Sequence, residues 1–332
     1  MIFPILRGFL FPKLAPITYF LFAINLFVFV ATYDQFEKTD SQMESLIGDD
    51  AFLETQGSAF AIMIRKEPGN YSEMLRKLAG RTSMGDVDSR HLLGSFALRN
   101  IDFMARAGNY DFGGDEIALH EWRTKFDELV KMQQEHPSFQ WGVSHLHAGW
   151  RQWFTYQFAH SGASHLFMNM IFLLLFGIFV ETHLGSSFVV LTYLGGGLAG
   201  AASFSMLSGL SSAPLIGASA AISALMSLVG IWWIGKEGIR FFYFLLPKQG
   251  YYGFVLLPSW LVLLVLLVPD LSSYLSSSRE FGSVAYAAHL GGSLWGAFTA
   301  GLLYLGWLVK EVDAPATVSE AESRPSDTRK AG

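Results

Sequence analysis

Six long apolar stretches constrain the fold of this chain more than any other feature. An α-helix needs about 20 residues to cross the hydrocarbon core of a bilayer, and each stretch is near this length. They cover residues 14–32, 164–183, 187–207, 217–235, 252–270 and 284–308. Because a chain in lipid must satisfy its backbone polar groups internally, the pattern predicts an all-α polytopic membrane protein with a bundle of six transmembrane helices.

The composition agrees with a membrane protein and excludes several other classes. Hydrophobic residues make up 51% of the chain and charged residues only 15%, which is unusual for a soluble domain. The chain has no cysteine, so disulfides, thiolate nucleophiles and cysteine-bound metals are excluded. A net charge of -5 without a dense basic surface argues against nucleic acid as a partner. The lipid bilayer is the expected environment.

Basic residues near the apolar stretches predict the orientation of the bundle. They precede the first stretch and follow the fourth and the sixth: Arg7, Lys13, Lys236, Arg240, Lys310, Arg329 and Lys330. With six spans these clusters share one side, which is the cytoplasmic side because short cytoplasmic loops are enriched in Lys and Arg. Both termini are thus predicted to be cytoplasmic. The first stretch is long enough to be a retained anchor, and without an organelle-type presequence we expect the bacterial inner membrane.

Polar and apolar segments divide the chain into four predicted regions. These are residues 1–33 with the first helix, a large extracytoplasmic insertion at 34–148, a membrane core at 149–310 with helices two to six, and a disordered cytoplasmic tail at 311–332. Within the insertion, apolar residues spaced three and four apart predict helices over 89–107 and 115–134. The sequence leaves the role of the insertion open.

Four polar side chains inside the predicted helices indicate a functional site. His165 and Asn169 lie near the start of the second helix, Ser219 near the start of the fourth and His289 near the start of the sixth. All four are then within roughly 8 Å of the outer boundary, given the helical rise of about 1.5 Å per residue. Singly, each has an ordinary structural explanation, such as a bond to its own helix. Together they supply a hydroxyl, a base and two donors, which is the equipment of an acyl-transfer site.

Small residues next to Ser219 and His289 favour close packing of the two helices that carry them. Gly217 and Ala218 precede Ser219, and His289 is followed by Gly292 and Gly296. Small residues four apart let the backbones of membrane helices approach closely enough for side chains to bond across the interface. We therefore expect Ser219 and His289 to meet.

In order and spacing, these residues resemble the rhomboid intramembrane serine proteases. The similar elements are Trp150-Arg151, His160, His165-xxx-Asn169, Glu181-xxx-Gly185, Gly217-Ala218-Ser219 and Ala288-His289 with Gly292 and Gly296. The resemblance covers about 149–308 and the topology of the first helix. It implies a rhomboid-like bundle and a serine endopeptidase, without cofactor or metal, that cleaves in or next to the transmembrane segments of membrane-protein substrates.

The resemblance also implies a role for each residue. Ser219 is the nucleophile and His289 the general base and then acid, while His165, Asn169 and the backbone N–H of Ser219 form the oxyanion hole. The implied structural neighbours are His160, Trp150, Arg151, Gly217, Gly292 and Gly296. In such a dyad no third carboxylate is required if packing alone fixes the imidazole.

Two positions depart from the family pattern. Ala220 follows the predicted nucleophile where the family usually has glycine. Ser223 stands where an aromatic residue often packs on the catalytic imidazole. A catalytically inactive rhomboid-like protein that binds membrane clients is therefore one alternative. A transporter or channel is another, although such proteins place their sites near the bilayer midplane rather than near one face.

Other protease and metal signatures are weaker. The segment from Asp111 to Asp115 is similar to an aspartyl intramembrane protease motif, but it lies in a polar region that no helix carries through lipid. A zinc protease would need HExxH, which the chain lacks. His145 and His147 are two possible metal ligands, but they lie in an aromatic loop typical of a membrane interface, so we expect no metal.

Overall fold

The computed structural model describes residues 2–4, 12–114, 116–146, 149–208, 212–236, 239–244, 252–276 and 284–313. The N-terminal half contains β1 (Ile2–Pro4), α1 (Pro16–Ile47), α2 (Asp50–Lys66), α3 (Glu73–Thr82), α4 (Val87–Ala97), α5 (Ile101–Arg106), α6 (Glu116–Glu135) and α7 (Pro137–Trp141). The C-terminal half contains α8 (Gln152–Thr155), α9 (Ala163–Phe172), a π-helical turn (Leu173–Gly177), α10 (Ile178–Leu184), α11 (Ser186–Leu207), α12 (Ser219–Trp232), β2 (Ile239–Phe244), β3 (Tyr252–Leu257), α13 (Trp260–Ser276) and α14 (Val284–Asp313).

Several apolar helices fit an all-α membrane protein. Among the described residues, three helices are long and apolar enough to cross a membrane: Pro16–Ile47, Ala163–Leu184 and Ser186–Leu207. Two shorter apolar helices cover Ser219–Trp232 and Trp260–Ser273. The count of six spans stays a prediction, because length and composition alone select three helices here.

The first helix corrects a predicted boundary. It was expected over 14–32 with the insertion starting at 34, whereas α1 begins at Pro16, a favoured first helical residue, and continues to Ile47. Its C-terminal half is polar, so the apolar stretch ends well before the helix does. The first helix therefore extends directly into the insertion.

The prediction of a helix throughout 252–270 is wrong in its first part. Residues Tyr252–Leu257 form β3, which pairs antiparallel with β2, and α13 begins only at Trp260. Pro258 disfavours a helical conformation at Leu257, and an apolar run cannot by itself distinguish a strand from a helix. With β1 paired on the other edge of β2, the three strands make a small sheet in the order β1-β2-β3 that the all-α prediction did not contain.

The polar region after α1 folds around its own aromatic core. Phe60, Phe103, Trp122 and Phe126 are almost fully buried and pack edge to face or tilted against one another. The predicted helix over 115–134 corresponds to α6. The predicted helix over 89–107 is instead two helices, because Asn100 caps α5 by accepting a bond from the Phe103 N–H at 2.9 Å.

A buried carboxylate fixes the start of α1 against the end of α10. Glu181 is 5% exposed and accepts hydrogen bonds from the N–H groups of Ile17 and Thr18 at 2.9 and 2.8 Å and from the Thr18 and Ser186 hydroxyls, each at 2.7 Å. The first N–H groups of a helix have no acceptor within it and carry partial positive charge. Glu181 therefore links three helices through one side chain.

We expect Glu181→Gln to lower the free energy of unfolding by about 2–4 kcal/mol, because hydrogen bonds to a charged group are lost and an amide N–H₂ is turned toward donors. Thermal unfolding in detergent measures the loss. Glu73→Gln is the matched control, since Glu73 lies in a surface pair with Lys77 and its side chain is 72% exposed, where such pairs contribute little. Equal melting temperatures for the two variants would contradict this role of Glu181.

Candidate active site

The segment before Ser219 is held by buried groups. Gly217 donates its N–H to the Tyr156 carbonyl at 2.9 Å, and Ala218 donates to His160 Nε2 at 3.4 Å. Tyr156 and His160 are both completely buried. Burial, with His165 close by, lowers the pKa of His160 to about 3, so this imidazole is neutral and able to accept. The predicted structural role of His160 is consistent with this contact.

Position 217 needs a glycine for two reasons, its backbone conformation and the close approach of His165. Its φ is 113°, a conformation that residues with a Cβ rarely adopt. A Cβ at this position would also lie 2.7 Å from Cε1 of His165. The glycine therefore turns the chain into α12 and lets the ring of His165 approach the backbone just before Ser219.

Ser219 and His289 meet across the interface of α12 and α14. The Nε2 atom of His289 lies 2.8 Å from Oγ of Ser219, a normal hydrogen-bond distance. Ser219 is the first residue of α12, so its backbone N–H is among those without an acceptor in the helix. The positive end of the helix dipole consequently points at the space beside this hydroxyl.

Two glycines allow this close approach of α14 to α12. A Cβ at Gly292 would overlap the carbonyl group of Ala220, and one at Gly296 would overlap the carbonyl of Ala224. Both neighbours are backbone atoms, which cannot rotate away. The predicted small-residue interface is therefore a direct backbone contact one and two turns from His289.

Ala220 is accommodated by a glycine on the neighbouring helix. Its side chain is 1% exposed, and a Cβ on Gly200 of α11 would lie 2.5 Å from the Cβ of Ala220. The extra methyl group at the position after Ser219 thus occupies space that Gly200 leaves free. The hydrogen bond between Ser219 and His289 forms in its presence.

His165 and Asn169 lie on one face of α9, as their spacing predicts. The Asn169 Nδ2 donates to the His165 carbonyl at 3.0 Å, which uses one of its two N–H bonds. The Ser161 hydroxyl lies 3.4 Å from His165 Nδ1. The rings of His160 and His165 pack edge to face with centroids 5.0 Å apart.

One polar residue at the site was not predicted. Asp270 Oδ1 lies 3.0 Å from Nδ1 of His289, on the side of the ring opposite Ser219. A carboxylate therefore contacts this imidazole, where the resemblance implied only a dyad of Ser219 and His289. Asp270 is the last residue of the predicted 252–270 helix, and a carboxylate at that position is easily explained as a residue at the membrane surface. The signal was its status as the only acidic or basic residue in the sequence of α13.

Ser219, His289 and Asp270 border one cavity of about 380 Å³ together with His165 and Asn169. Its polar lining consists of His165, Asn169, Ser219, Ser223, Asp270 and His289. Its apolar lining includes Phe172, Ile222, Met226, Val265 and Leu266. The cavity is large enough to admit a segment of polypeptide beside the Ser219 hydroxyl, with apolar walls suited to apolar side chains.

Residues 147–306 match the family model of the Rhomboid domain. This is a rhomboid family protein. No curated protein matched the chain. The matched rhomboid segment contains every residue of the predicted site, from Trp150 to Gly296. Most of the polar region predicted as an insertion, residues 34–146, precedes the matched segment, and Asp270 lies inside the matched segment.

The polar region after α1 contacts the matched rhomboid segment at the loop that leads to Ser219. Ser212 donates its N–H to the Arg99 carbonyl at 2.9 Å and its hydroxyl to the Leu98 carbonyl at 2.7 Å. Further along, Leu215 and Val143 exchange two backbone hydrogen bonds of 2.8 and 3.0 Å. The loop is thus bonded to this polar region four to seven residues before Ser219, through contacts that could not be predicted from the sequence.

Two residues that were predicted near the site, Trp150 and Arg151, lie apart from the cavity. Trp150 is 75% exposed, and the guanidinium of Arg151 lies 5.8 Å from its ring centroid; neither lines the cavity. The imidazole of His145 is 2.7 Å from the Ser208 hydroxyl. His147, the other histidine of that pair, lies outside the described residues.

Proposed function

We propose that this rhomboid protein is an intramembrane serine endopeptidase that cleaves peptide bonds in or next to transmembrane segments of membrane-protein substrates. The observation that supports it best is the 2.8 Å contact between His289 Nε2 and Ser219 Oγ at a cavity that His165 and Asn169 also line. A nucleophile within bonding distance of a base, with donors nearby, is the minimum for acyl transfer.

In the proposed reaction, Ser219 Oγ attacks the substrate carbonyl carbon while His289 Nε2 takes the hydroxyl proton. The carbonyl oxygen becomes an anion that accepts bonds from His165, Asn169 and the Ser219 backbone N–H. The C–N bond then breaks as Nε2 returns the proton to the leaving nitrogen. Water then attacks the acyl-enzyme and gives a proton to Nε2. Nε2 returns this proton to Ser219 Oγ as the ester C–O bond breaks, which releases the carboxylic acid and restores the serine hydroxyl.

The proposal places the site near the outer face of the bilayer. The six-span topology, cytoplasmic termini and bacterial inner membrane belong to it, as does an extracytoplasmic 34–148 insertion. Water must reach a site below the surface, and a cavity open on the outer side supplies it. Substrate helices with small or helix-destabilising residues are favoured, because unwinding a helix in lipid leaves its backbone groups without partners.

A fluorophosphonate label tests the proposal, because it reacts with activated serines. We expect labelling at Ser219 in the wild type and in Ser223→Ala, and none in Ser219→Ala. Ser223 is the matched control, since it lines the same cavity one turn further along α12. The same three proteins are then incubated with a tagged single-span substrate, which Ser219→Ala should leave intact.

Two outcomes would refute the proposed protease activity. One is labelling or cleavage that persists in Ser219→Ala. The other is a folded wild type that is neither labelled nor active, while still binding membrane clients, which would favour the inactive rhomboid-like alternative.

A further inference from the structure

Asp270 is a buried carboxylate in a mostly apolar helix. Its side chain is 10% exposed, and that of its partner His289 is 20% exposed. The sequence of α13 contains no other acidic or basic residue. A carboxylate in such surroundings is costly unless a partner compensates it, and His289 Nδ1 at 3.0 Å is that partner.

The imidazole of His289 is contacted on both nitrogens. Nε2 faces Ser219 at 2.8 Å and Nδ1 faces Asp270 at 3.0 Å. A carboxylate only accepts, so the ring nitrogen beside it must carry the proton. With the proton on Nδ1, the neutral ring has its free lone pair on Nε2, aimed at the Ser219 hydroxyl. This is the tautomer that a general base requires.

The other groups described around His289 and Asp270 carry no negative charge. Ser223 is small and lines the cavity together with Asp270 and His289, while the ring of Tyr286 packs edge-on against His289 at 6.4 Å. Among the described residues that line the cavity, Asp270 is the only one with a carboxylate. Positive charge that develops on His289 during the reaction therefore has one close counter-charge.

We propose that Asp270 is a positioning residue for His289, so that the site works as a Ser219–His289–Asp270 triad. Asp270 orients the imidazole, selects the tautomer with the proton on Nδ1 and stabilises the imidazolium formed when Ser219 attacks. It neither touches the substrate nor takes up the proton itself. This inference rests on the proposed function and adds a third member to that site.

The test compares Asp270→Ala and Asp270→Asn with the wild type in two assays. The rate constant of fluorophosphonate labelling at Ser219 reports activation of the nucleophile without a substrate, and cleavage of the single-span substrate gives kcat and KM. We expect both variants to label at least about tenfold more slowly, with kcat reduced in proportion and KM within about twofold of wild type, because the carboxylate acts on the base and not on binding.

Added formate provides a readout that a merely structural role would not change. In Asp270→Ala the missing carboxyl group leaves space next to His289 in a cavity that water reaches, so formate should restore part of the labelling rate. In Asp270→Asn the amide fills that space and formate should have no effect. The matched control is His289→Ala, in which formate has no imidazole to orient and no recovery is expected.

The possible outcomes separate this inference from the proposed function. One outcome is that both Asp270 variants are labelled at the wild-type rate while Ser219→Ala is not labelled. This result would refute the triad but not the proposed protease activity. Slower labelling that formate does not restore in Asp270→Ala, or loss of the folded state in both variants, would assign Asp270 a structural role and also overturn the triad. A wild type without labelling at Ser219 would refute the proposed function and the triad together.

Discussion

Gly292→Ala is expected to reduce labelling at Ser219 and substrate cleavage by at least about 100-fold. The added methyl group would overlap the carbonyl group of Ala220, so α14 must move away from α12. His289 lies less than one turn before Gly292, and its bond to Ser219 spans this interface. A displacement of about 1 Å between reacting groups can cost about 100-fold in rate, and the 2.8 Å contact cannot survive a shift of that size.

Gly301→Ala is the matched control for this effect. Gly301 lies in the same helix, but a Cβ there would meet nothing within 4 Å. We expect this variant to keep the labelling rate of the wild type. Circular dichroism on both variants separates a displaced helix from an unfolded protein. A wild-type labelling rate in Gly292→Ala would show that the two helices do not depend on this backbone contact.

Asn169→Ala is expected to lower kcat by about 100- to 1000-fold, the usual cost of removing one donor to an oxyanion. The melting temperature should change little, because the only hydrogen bond described for the Asn169 side chain is to the carbonyl of His165 in its own helix. Single-turnover cleavage of the tagged substrate measures the change in rate. An activity equal to that of the wild type would exclude Asn169 from the oxyanion hole.

Thr182→Val serves as the comparison for Asn169→Ala. Thr182 makes the same kind of bond one turn back, from its hydroxyl to the Ile178 carbonyl at 2.7 Å, but it is not among the residues that line the cavity. We expect the Thr182 variant to retain full turnover. A similar loss of kcat in both variants would indicate that helix distortion, and not a missing donor, explains the effect.

The sequence allowed the meeting of Ser219 and His289 to be predicted, because each constraint on it is local. Membrane depth follows from counting residues along a helix, and close packing follows from Gly292 and Gly296. Gly217 was identified from the motif around Ser219. The structure adds the physical reason, since a turn directly before a helix and a close neighbour both favour glycine.

The parts that escaped prediction depend on pairings between distant segments. Leu257 and Trp260 belong to one apolar run. Pro258 disfavours a helix at Leu257, but the pairing of β3 with β2 is what makes the first part a strand. Asp270 was visible as an acidic residue, but its partner His289 is 19 positions away and on another helix. The bonds of Ser212 to Leu98 and Arg99 involve backbone carbonyls, which leave no trace in the identity of the residues that carry them.

The bonds between the polar region after α1 and the loop before Ser219 bear on how this protein can be divided for study. A fragment cut to the rhomboid domain alone would lose Val143, the residue that pairs with Leu215, and both carbonyl groups that receive Ser212. The segment entering α12 would then be tethered mainly by Tyr156 and His160. The polar region after α1 therefore helps to hold the segment before Ser219 in place. The smallest unit that preserves the site is larger than the family domain.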